Sequence, residues 1–557
     1  MIKTPTILFA TLLASLLATS CDAPPPLVIS VVGTNDVHGQ LARNGDRGGF
    51  VTVSAYVDAI RSARENDGGA VLLIDAGDMW QGTLESNLSE GAAMVAAYNA
   101  LEYTAATIGN HEFDFGPRGA AATPSEPGHD ARGALKERAS EANFPMLAAN
   151  LIDSSTGAVV DWDNVQPSVL LEVEGVKVGI IGVMTSRALQ RTIALNVVGL
   201  EVAPLVPAIE KHAWALREAG AAVIIVTAHA GGRCVEFSDP YDLSSCDQDA
   251  EIFDVARKLP EGLVNHIIAG HSHNGIAHVV NGIAITSAFS NTRAFSRVDI
   301  TIDRRSGEVL DRHIYPPQSI VAGVEYEGRI IEANSAVVAI ADEAIRLAKE
   351  TREAKIGVIL ETPFTHEGNP ESPLGNLFTD ALLESLNVDV VIHNVAGGLR
   401  TNLPAGDLKF GDVYELSPFE NRLVYIDMSG AQLRRTIAVQ SHLGDRSISF
   451  SGMKVFVTCE DLQQSVRIVL NDGRTVNDTD RVTIVVNDYI ATGGDDILSD
   501  VAPQGGYPVD ASKPLTRDVF IAWLAARGGS ISAADFDTND DPKWNRPDDM
   551  DPGCRLQ

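Results

Sequence analysis

Short apolar runs recur through the first half of the chain, and each stops at a polar cluster. Val28 to Val32 leads into Asn35-Asp36-Val37-His38, and Val71 to Ile74 into Asp75-Ala76-Gly77-Asp78. Val223 to Val226 leads into Ala228-His229-Ala230-Gly231, and His266 to Ile268 into Gly270-His271-Ser272-His273. A fifth cluster, Gly109-Asn110-His111-Glu112-Phe113-Asp114, caps another such run. Runs of this length and composition predict strands, and helical spacing in Val51 to Arg64 and Pro204 to Ala219 predicts helices between them. The alternation indicates α/β layers from Leu27 to about Pro317. A strand ending in Asp, His or Asn delivers that side chain from a rigid element into the crevice at the carboxyl edge of a sheet. Five such strands can converge on one place.

In the second half, Ile330, Ala333, Val337, Ile340, Ala344 and Leu347 fall at helical spacing, which predicts one long connector helix over Arg329 to Glu353. The domain reading is therefore 27–320 for a first α/β domain, 326–354 for a linker helix and 355–529 for a second α/β domain. Glu371-Ser372-Pro373-Leu374-Gly375-Asn376 opens a helix in that second domain. Residues 530–557 are acidic and poor in apolar residues, so they read as an irregular, solvated tail. Asp535 to Asp540 resembles a calcium loop only superficially, because Asp540 stands where Gly is needed and Arg546 where Glu is needed.

A chain of 557 residues is too long for one ordinary core. Its formal net charge of -31 argues against a nucleic-acid polymer as partner, since phosphate tracking needs lysine and arginine. Residues 1–21 carry Lys3, an apolar run from Ile7 to Leu17 and small residues before Cys21, which reads as a secretory signal. Leu17-Ala18-Thr19-Ser20-Cys21 resembles a bacterial lipobox, with Ala18 where Leu is usual, so the expectation is an exported chain lipid-anchored at Cys21. Residues 22–26 then form a proline-stiffened tether. Cys234, Cys246, Cys459 and Cys554 remain, an even number suited to disulfides. Cys234 and Cys246, flanking one polar loop, are the expected pair; whether Cys459 meets Cys554 is open.

Asp36 and His38, one residue apart at a strand end, point the same way and can share a metal ion. Asp78 can bridge two ions through its two oxygens, Asn110 offers a carbonyl oxygen, and His229, His271 and His273 offer imidazole nitrogens. Seven nitrogen and oxygen ligands without a thiolate suit two divalent ions, with zinc, manganese, iron and cobalt all acceptable. Such a pair lowers the pKa of a water and neutralises charge on phosphoryl oxygens. His111, one residue past a ligand, is placed for the substrate, and Asp114 can orient it.

The order N-D-V-H-G, D-A-G-D-x-x-Q-G, G-N-H-E-F-D, H-A-G and G-H-S-H resembles the calcineurin-like metallophosphoesterases, and within them the 5'-nucleotidase and UDP-sugar hydrolase family. The resemblance implies a four-layer αββα catalytic domain and an α/β substrate domain. It implies Asp36, His38, Asp78 and His273 around one metal, Asp78, Asn110, His229 and His271 around the other, and His111 with Asp114 as catalytic dyad. It further implies that Phe419 and Tyr489 sandwich a base, Asn421 meets the base edge, Asp495 meets a ribose hydroxyl, and Gly493 and Gly494 admit the sugar. Asn394 to Arg400 resembles the family's glycine-rich phosphate segment, ending in an arginine suited to a fork on phosphoryl oxygens.

One departure stands out: the segment from Leu360 to Glu371 has no arginine where the family has one or more. It carries His366, Glu367 and Glu371 instead. The expected activity is hydrolysis of nucleoside phosphates to nucleoside and phosphate. Alternatives are a 2',3'-cyclic-nucleotide phosphodiesterase, a UDP-sugar pyrophosphatase, a thiosulfohydrolase, or a non-catalytic lipid-anchored nucleotide-binding or adhesion protein.

Overall fold

The computed structural model describes residues 25–557 except 46, 120, 366–370, 396, 442–447, 548–552 and 557. The signal segment, Cys21, His366 and Glu367 lie outside the described residues.

Two sheets stack face to face in the first domain. In one, Leu27–Thr34 pairs parallel with Ala70–Asp75, which continues through Ala105–Thr107 and Met146–Leu147. On its other side lies the antiparallel Ala294–Ile302. In the second sheet, Val223–His229 runs parallel between Val176–Met184 and His266–Ala269. Alternate residues of Leu27–Thr34 explain the stacking. Leu27, Ile29 and Val31 pack with Ile225, Ile268 and Ile180 between the sheets, whereas Val32 packs outward with Phe50 and Val53 of the helix Phe50–Asp67. Helices Leu205–Glu218 and Glu251–Lys258 cover the far face of the second sheet through Ile209, Leu216, Ile252 and Phe253. The result is the four-layer αββα sandwich, with every metal-candidate cluster at the carboxyl ends of parallel strands.

The connector helix runs from Ser335 to Glu353, later than the expected start at Arg329. Arg329–Ile330 instead forms a small hairpin with Glu325–Tyr326, turning at Gly328 with φ 72°. The Asn334 side chain then accepts from the N–H of Ala336 and Val337, a helix start that spacing alone did not reveal. The buried stripe is Val337, Ala341, Ala344 and Ala348, while Ile330 and Leu347, expected on the inner face, are exposed. Small residues let this helix lie close against Ala92–Ala100 and Phe410–Leu416, and so touch both domains. At its end Arg352 pairs with Glu85 of the first domain and Glu415 of the second, each at 2.6 Å.

In the second domain a sheet of Leu423–Ser429, Arg481–Asn487, Val390–Asn394 and Ile448–Ser451 sits beside the helix Pro373–Ser385. Ser372 caps that helix by accepting from Gly375 N–H at 3.0 Å.

The tail is a correction. Gly529–Ile531 adds to Lys355–Leu360, Trp544–Asn545 to Met453–Glu460, and Arg555–Leu556 to Gln463–Leu470. Phe536 packs on Phe364, Trp544 packs on Phe450, and Lys543 pairs with Asp380 at 2.8 Å. A few well-placed aromatics, strand additions and the Cys459–Cys554 disulfide hold a segment whose average polarity suggested none of it. Cys234 bonds Cys246.

Candidate active site

Asp36 and His38 do face one place, but not by strand alternation. Their strand ends at Thr34, and both residues take left-handed φ, 49° and 51°. Asp78, His271 and His273 do the same, at 58°, 69° and 58°. Non-glycine residues avoid this region at a cost of roughly 1–3 kcal/mol each, and such strain persists where surrounding bonds over-determine it. Those bonds are present. Asp36 N–H donates to Gly77 O at 2.9 Å and His38 N–H to Asp78 O at 3.0 Å, lacing the first two loops together. His271 N–H donates to the Asp36 carboxylate at 2.9 Å. Gly109 is required, since a Cβ there would lie 2.3 Å from Asp78 Oδ1.

Two donor groups result: Asp36, His38 and His273 in one, and Asp78, His229 and His271 in the other, with ligand atoms in each group within 4.8 Å of one another. His38 Nδ1 donates to Gln81 O and His229 Nδ1 to Ala76 O, both at 2.8 Å. These carbonyls fix the tautomers, so each Nε2 turns a lone pair inward. His38 Nε2 then lies 3.0 Å from His273 Nε2. His229 Nε2 lies 2.9 Å from Asn110 Oδ1, 3.1 Å from His271 Nδ1 and 3.1 Å from Asp78 Oδ2. Acceptor atoms crowded in this way repel one another unless a cation or a shared proton sits among them, and the all-nitrogen-and-oxygen set fits divalent ions. Without an ion, burial works against a charged His229, but the Asp78 carboxylate outweighs it and holds the imidazole up to about 10. Burial and the neighbouring His229 drive His271 down to about 3.

His111 Nδ1 donates to Asp114 Oδ2 at 2.7 Å, and Thr192 Oγ1 donates to the other Asp114 oxygen at 2.7 Å. The backbone N–H of His111 donates to Asp78 Oδ1 at 2.9 Å. Burial opposes a charged His111, but Asp114 and then Asp78 outweigh it and raise the pKa above the ordinary histidine value.

A cavity of about 210 Å³ opens over these groups, with its other wall from the second domain. Asn394, Arg400, Phe419, Asn421, Tyr489 and Asp495 all line it together with Asp78, Asn110, His111, Asp114, His271 and His273. Phe419 stacks on His111 with centroids 5.8 Å apart, and Arg400 lies 5.7 Å over the Phe419 ring. Arg400 Nη2 also reaches His38 Nε2 at 3.1 Å. The polar members bind one another: Asp495 accepts from Tyr489 Oη at 2.9 Å and Asn394 Nδ2 at 3.0 Å, and Asn421 Nδ2 donates to Asp488 at 2.7 Å. Gly494 lies against the Tyr489 ring, where a Cβ would fall 2.4 Å from it, so any side chain at this position would displace the aromatic.

Two residues escaped the reading of the sequence. Glu112, only 1% exposed, accepts from the N–H groups of Asp78 at 2.8 Å, Met79 at 2.7 Å and Gly109 at 2.7 Å, stapling two ligand loops. Its place inside Gly109-Asn110-His111-Glu112 was the available signal. Arg191 pairs with Asp495 across the domains at 3.0 Å, while its carbonyl accepts from Asn110 Nδ2 at 2.7 Å. It belongs to no motif and carried no signal.

Residues 29–275 match the calcineurin-like phosphoesterase family and residues 354–500 the 5'-nucleotidase C-terminal domain. The chain is 25% identical over 542 residues to protein UshA of Escherichia coli K12, covering 90% of each. It is 25% identical over 525 residues to endonuclease YhcR of Bacillus subtilis, covering 88% of this chain but 39% of that protein. The crystal structure of a 5'-nucleotidase precursor from Thermus thermophilus superposes with a TM-score of 0.68 at 21% identity, covering 94% of this chain and all of that one. The chain thus belongs to the metal-dependent phosphoesterases that join a calcineurin-like catalytic domain to a 5'-nucleotidase C-terminal domain.

Proposed function

We propose that this protein is an exported 5'-nucleotidase that hydrolyses nucleoside phosphates to nucleoside and phosphate with two divalent ions. The observation that carries the reading is a cavity in which His273 of one metal-donor group, Asp78 and His271 of the other, and the His111–Asp114 pair face Phe419, Tyr489 and Asp495. Asp36, His38 and His273 would hold one ion, Asn110, His229 and His271 the other, with Asp78 shared. When bound, the ions would supply a water of lowered pKa and offset charge on the phosphoryl oxygens. His111, its Nδ1 committed to Asp114, keeps Nε2 for the leaving oxygen and, as an imidazolium, can protonate it. Phe419 and Tyr489 supply aromatic faces for a base, and Arg400 a guanidinium for phosphate.

Tyr489, Asn394 and Arg191 engage Asp495 until a ribose hydroxyl replaces one of them, so nucleoside binding and the interdomain ion pair compete. Two disulfides favour an oxidising compartment, which supports export, and anchoring at Cys21 belongs to the same reading. Among the described residues no helix is long and apolar enough to cross a membrane.

The test follows hydrolysis of AMP, 2',3'-cyclic nucleotides, a UDP-sugar and para-nitrophenyl phosphate by metal-stripped and remetallated protein, with phosphate, nucleoside monophosphate, sugar phosphate and nitrophenol each measured as products. The reading expects the highest kcat/KM on a nucleoside monophosphate; a cyclic nucleotide or UDP-sugar preferred by tenfold would replace it with one of those activities.

A further inference from the structure

The segment between the strands Val176–Met184 and Leu200–Val202 belongs to no motif, yet it joins three parts of the site. Arg191 O accepts from Asn110 Nδ2 at 2.7 Å, Thr192 Oγ1 donates to Asp114 Oδ1 at 2.7 Å, and Asn196 Nδ2 donates to Phe113 O at 2.9 Å. Thr192 and Asn196 are buried. Three bonds within six residues therefore hold the Arg191 main chain against the cluster Gly109 to Asp114, while its side chain lines the cavity and reaches the second domain.

The group it reaches is fixed as well. Asp495 Oδ1 accepts from Tyr489 Oη at 2.9 Å and Arg191 Nη1 at 3.0 Å, and Oδ2 accepts from Asn394 Nδ2 at 3.0 Å. Of these three donors only Arg191 comes from the catalytic domain. It is also the one a ligand displaces most readily. Its side chain is 37% exposed and that of Asp495 28%, so water already screens the pair and the bond contributes little. Asn394 is buried, and breaking its bond would orphan an amide N–H. A hydroxyl has both polarities: its oxygen can accept from Nη1 while its proton goes to Oδ1. Inserted between the two, it replaces one bond by two and leaves both charged groups partnered. An apolar edge at the same point would part the charges and return no bond.

We propose that Arg191 is a specificity-determining residue: a sugar hydroxyl of the substrate inserts between Arg191 Nη1 and Asp495 Oδ1, so that the catalytic domain itself reads the sugar of a nucleotide. This rests on the nucleotidase reading above and narrows it to substrates with a free hydroxyl at the 2' or 3' position. Because the Arg191 main chain is tied to Asn110 and Asp114, the bond also sets the sugar in register with the metal-donor and dyad residues. Arg187 provides the control. Its Nη1 pairs with Asp496 Oδ2 at 2.6 Å across the same domain boundary, but it is 57% exposed and stands outside the cavity lining. A mere latch between the domains would make the two arginines equivalent.

The test compares the full, Mn²⁺-loaded chain with Arg191→Met and Arg187→Met on AMP, 2',3'-dideoxy-AMP and para-nitrophenyl phosphate. Arg191→Met keeps the carbonyl that holds Asn110. A site that bonds a substrate hydroxyl rejects the analogue lacking it, so the wild type should prefer AMP to the dideoxy nucleotide by roughly tenfold or more in kcat/KM. Arg191→Met should cut that preference by roughly fivefold or more, chiefly through KM for AMP, with para-nitrophenyl phosphate within about twofold of wild type. Arg187→Met should leave the preference unchanged. A preference that survives Arg191→Met, a loss shared equally by the dideoxy nucleotide, or a loss matched by Arg187→Met overturns the assignment. If the wild type turns over no nucleotide, the proposed function fails, and calorimetry with adenosine and 2',3'-dideoxyadenosine still decides the role of Arg191. Tighter binding of adenosine that Arg191→Met reduces to the dideoxy level upholds it; equal binding, no binding, or a preference retained in the variant overturns it.

Discussion

Glu112→Gln is the most searching perturbation of the site, because it changes one atom that touches neither metal donors nor cavity. Oε2 accepts from Asp78 and Gly109, while Oε1 accepts from Met79 alone. A glutamine keeps its oxygen at the two-fold position and turns its amide nitrogen toward Met79 N–H, so a donor faces a donor where the bond was 2.7 Å. Losing that bond and leaving the buried N–H without an acceptor costs about 1–3 kcal/mol. The loss falls next to Asp78, whose left-handed φ of 58° stores strain of about 1–3 kcal/mol that the staple helps to hold. Relaxation of Asp78 toward ordinary φ withdraws a carboxylate from the donor groups. Outer partners of metal ligands are typically worth about 10–100-fold in metal affinity, in line with this estimate. Titrating stripped protein with Mn²⁺ against a competing chelator should therefore show Glu112→Gln weaker by about tenfold or more, and Glu112→Ala weaker still. A urea midpoint for the metal-free protein reads general stability separately. If Glu112→Gln lowers that midpoint while metal affinity stays within twofold, the staple is structural only and the reasoning fails.

Asp78→Asn or His111→Ala should abolish phosphate release while equilibrium binding of nucleoside persists; retained turnover in either variant contradicts the assigned roles. Tyr489→Ala removes stacking worth about 1–3 kcal/mol, so kcat/KM should fall about 5–150-fold on AMP and little on para-nitrophenyl phosphate; equal losses on both would deny the aromatic its role. Replacing Cys459 and Cys554 by serine opens a loop with a sequence separation of 95 and should lower unfolding stability by about 2–5 kcal/mol. Limited proteolysis should then release the tail, and an unchanged digest would show that Phe536 and Trp544 suffice. His266 and His393 are buried, and burial lowers each to about 3. The unfolded chain takes up protons at both below about pH 6.5 and the folded chain does not, so their stability is complete above pH 6.5 and lost as pH falls toward 3. Each contributes up to about 1.4 kcal/mol per pH unit. His393→Gln or His266→Gln should flatten the dependence of the urea midpoint between pH 6.5 and 5, and an unaltered slope would place the acid sensitivity elsewhere.

Much of the site was legible because its ligands are local in sequence: a strand followed by a short Gly- and Asp-rich turn is encoded within ten residues. What local pattern could not supply was backbone handedness. Asp36 and His38 look like strand alternation on paper, yet left-handed turns, held by bonds from loops far along the chain, aim them. The connector helix was misjudged at its start for a related reason, because one Asn334 cap outweighed a periodicity that ran on through Ile330. Average composition failed for the tail, where three strand additions and a disulfide anchor a polar segment.

By itself, then, the amino-acid sequence marked out the α/β alternation and the polar clusters at the strand ends, because periodicity and motif spacing are properties of short stretches, whereas the four layers and the Phe419–Tyr489 pair rested on a family resemblance. Tertiary structure alone decided three other matters. It set Glu112 as a staple, since its partners include residues more than thirty positions away. It brought Arg191 onto Asp495 from over three hundred positions away. It also brought the Thr192 hydroxyl onto the Asp114 carboxylate. Contacts of that range depend on how two sheets and two domains close on each other, and no window of sequence carries that information.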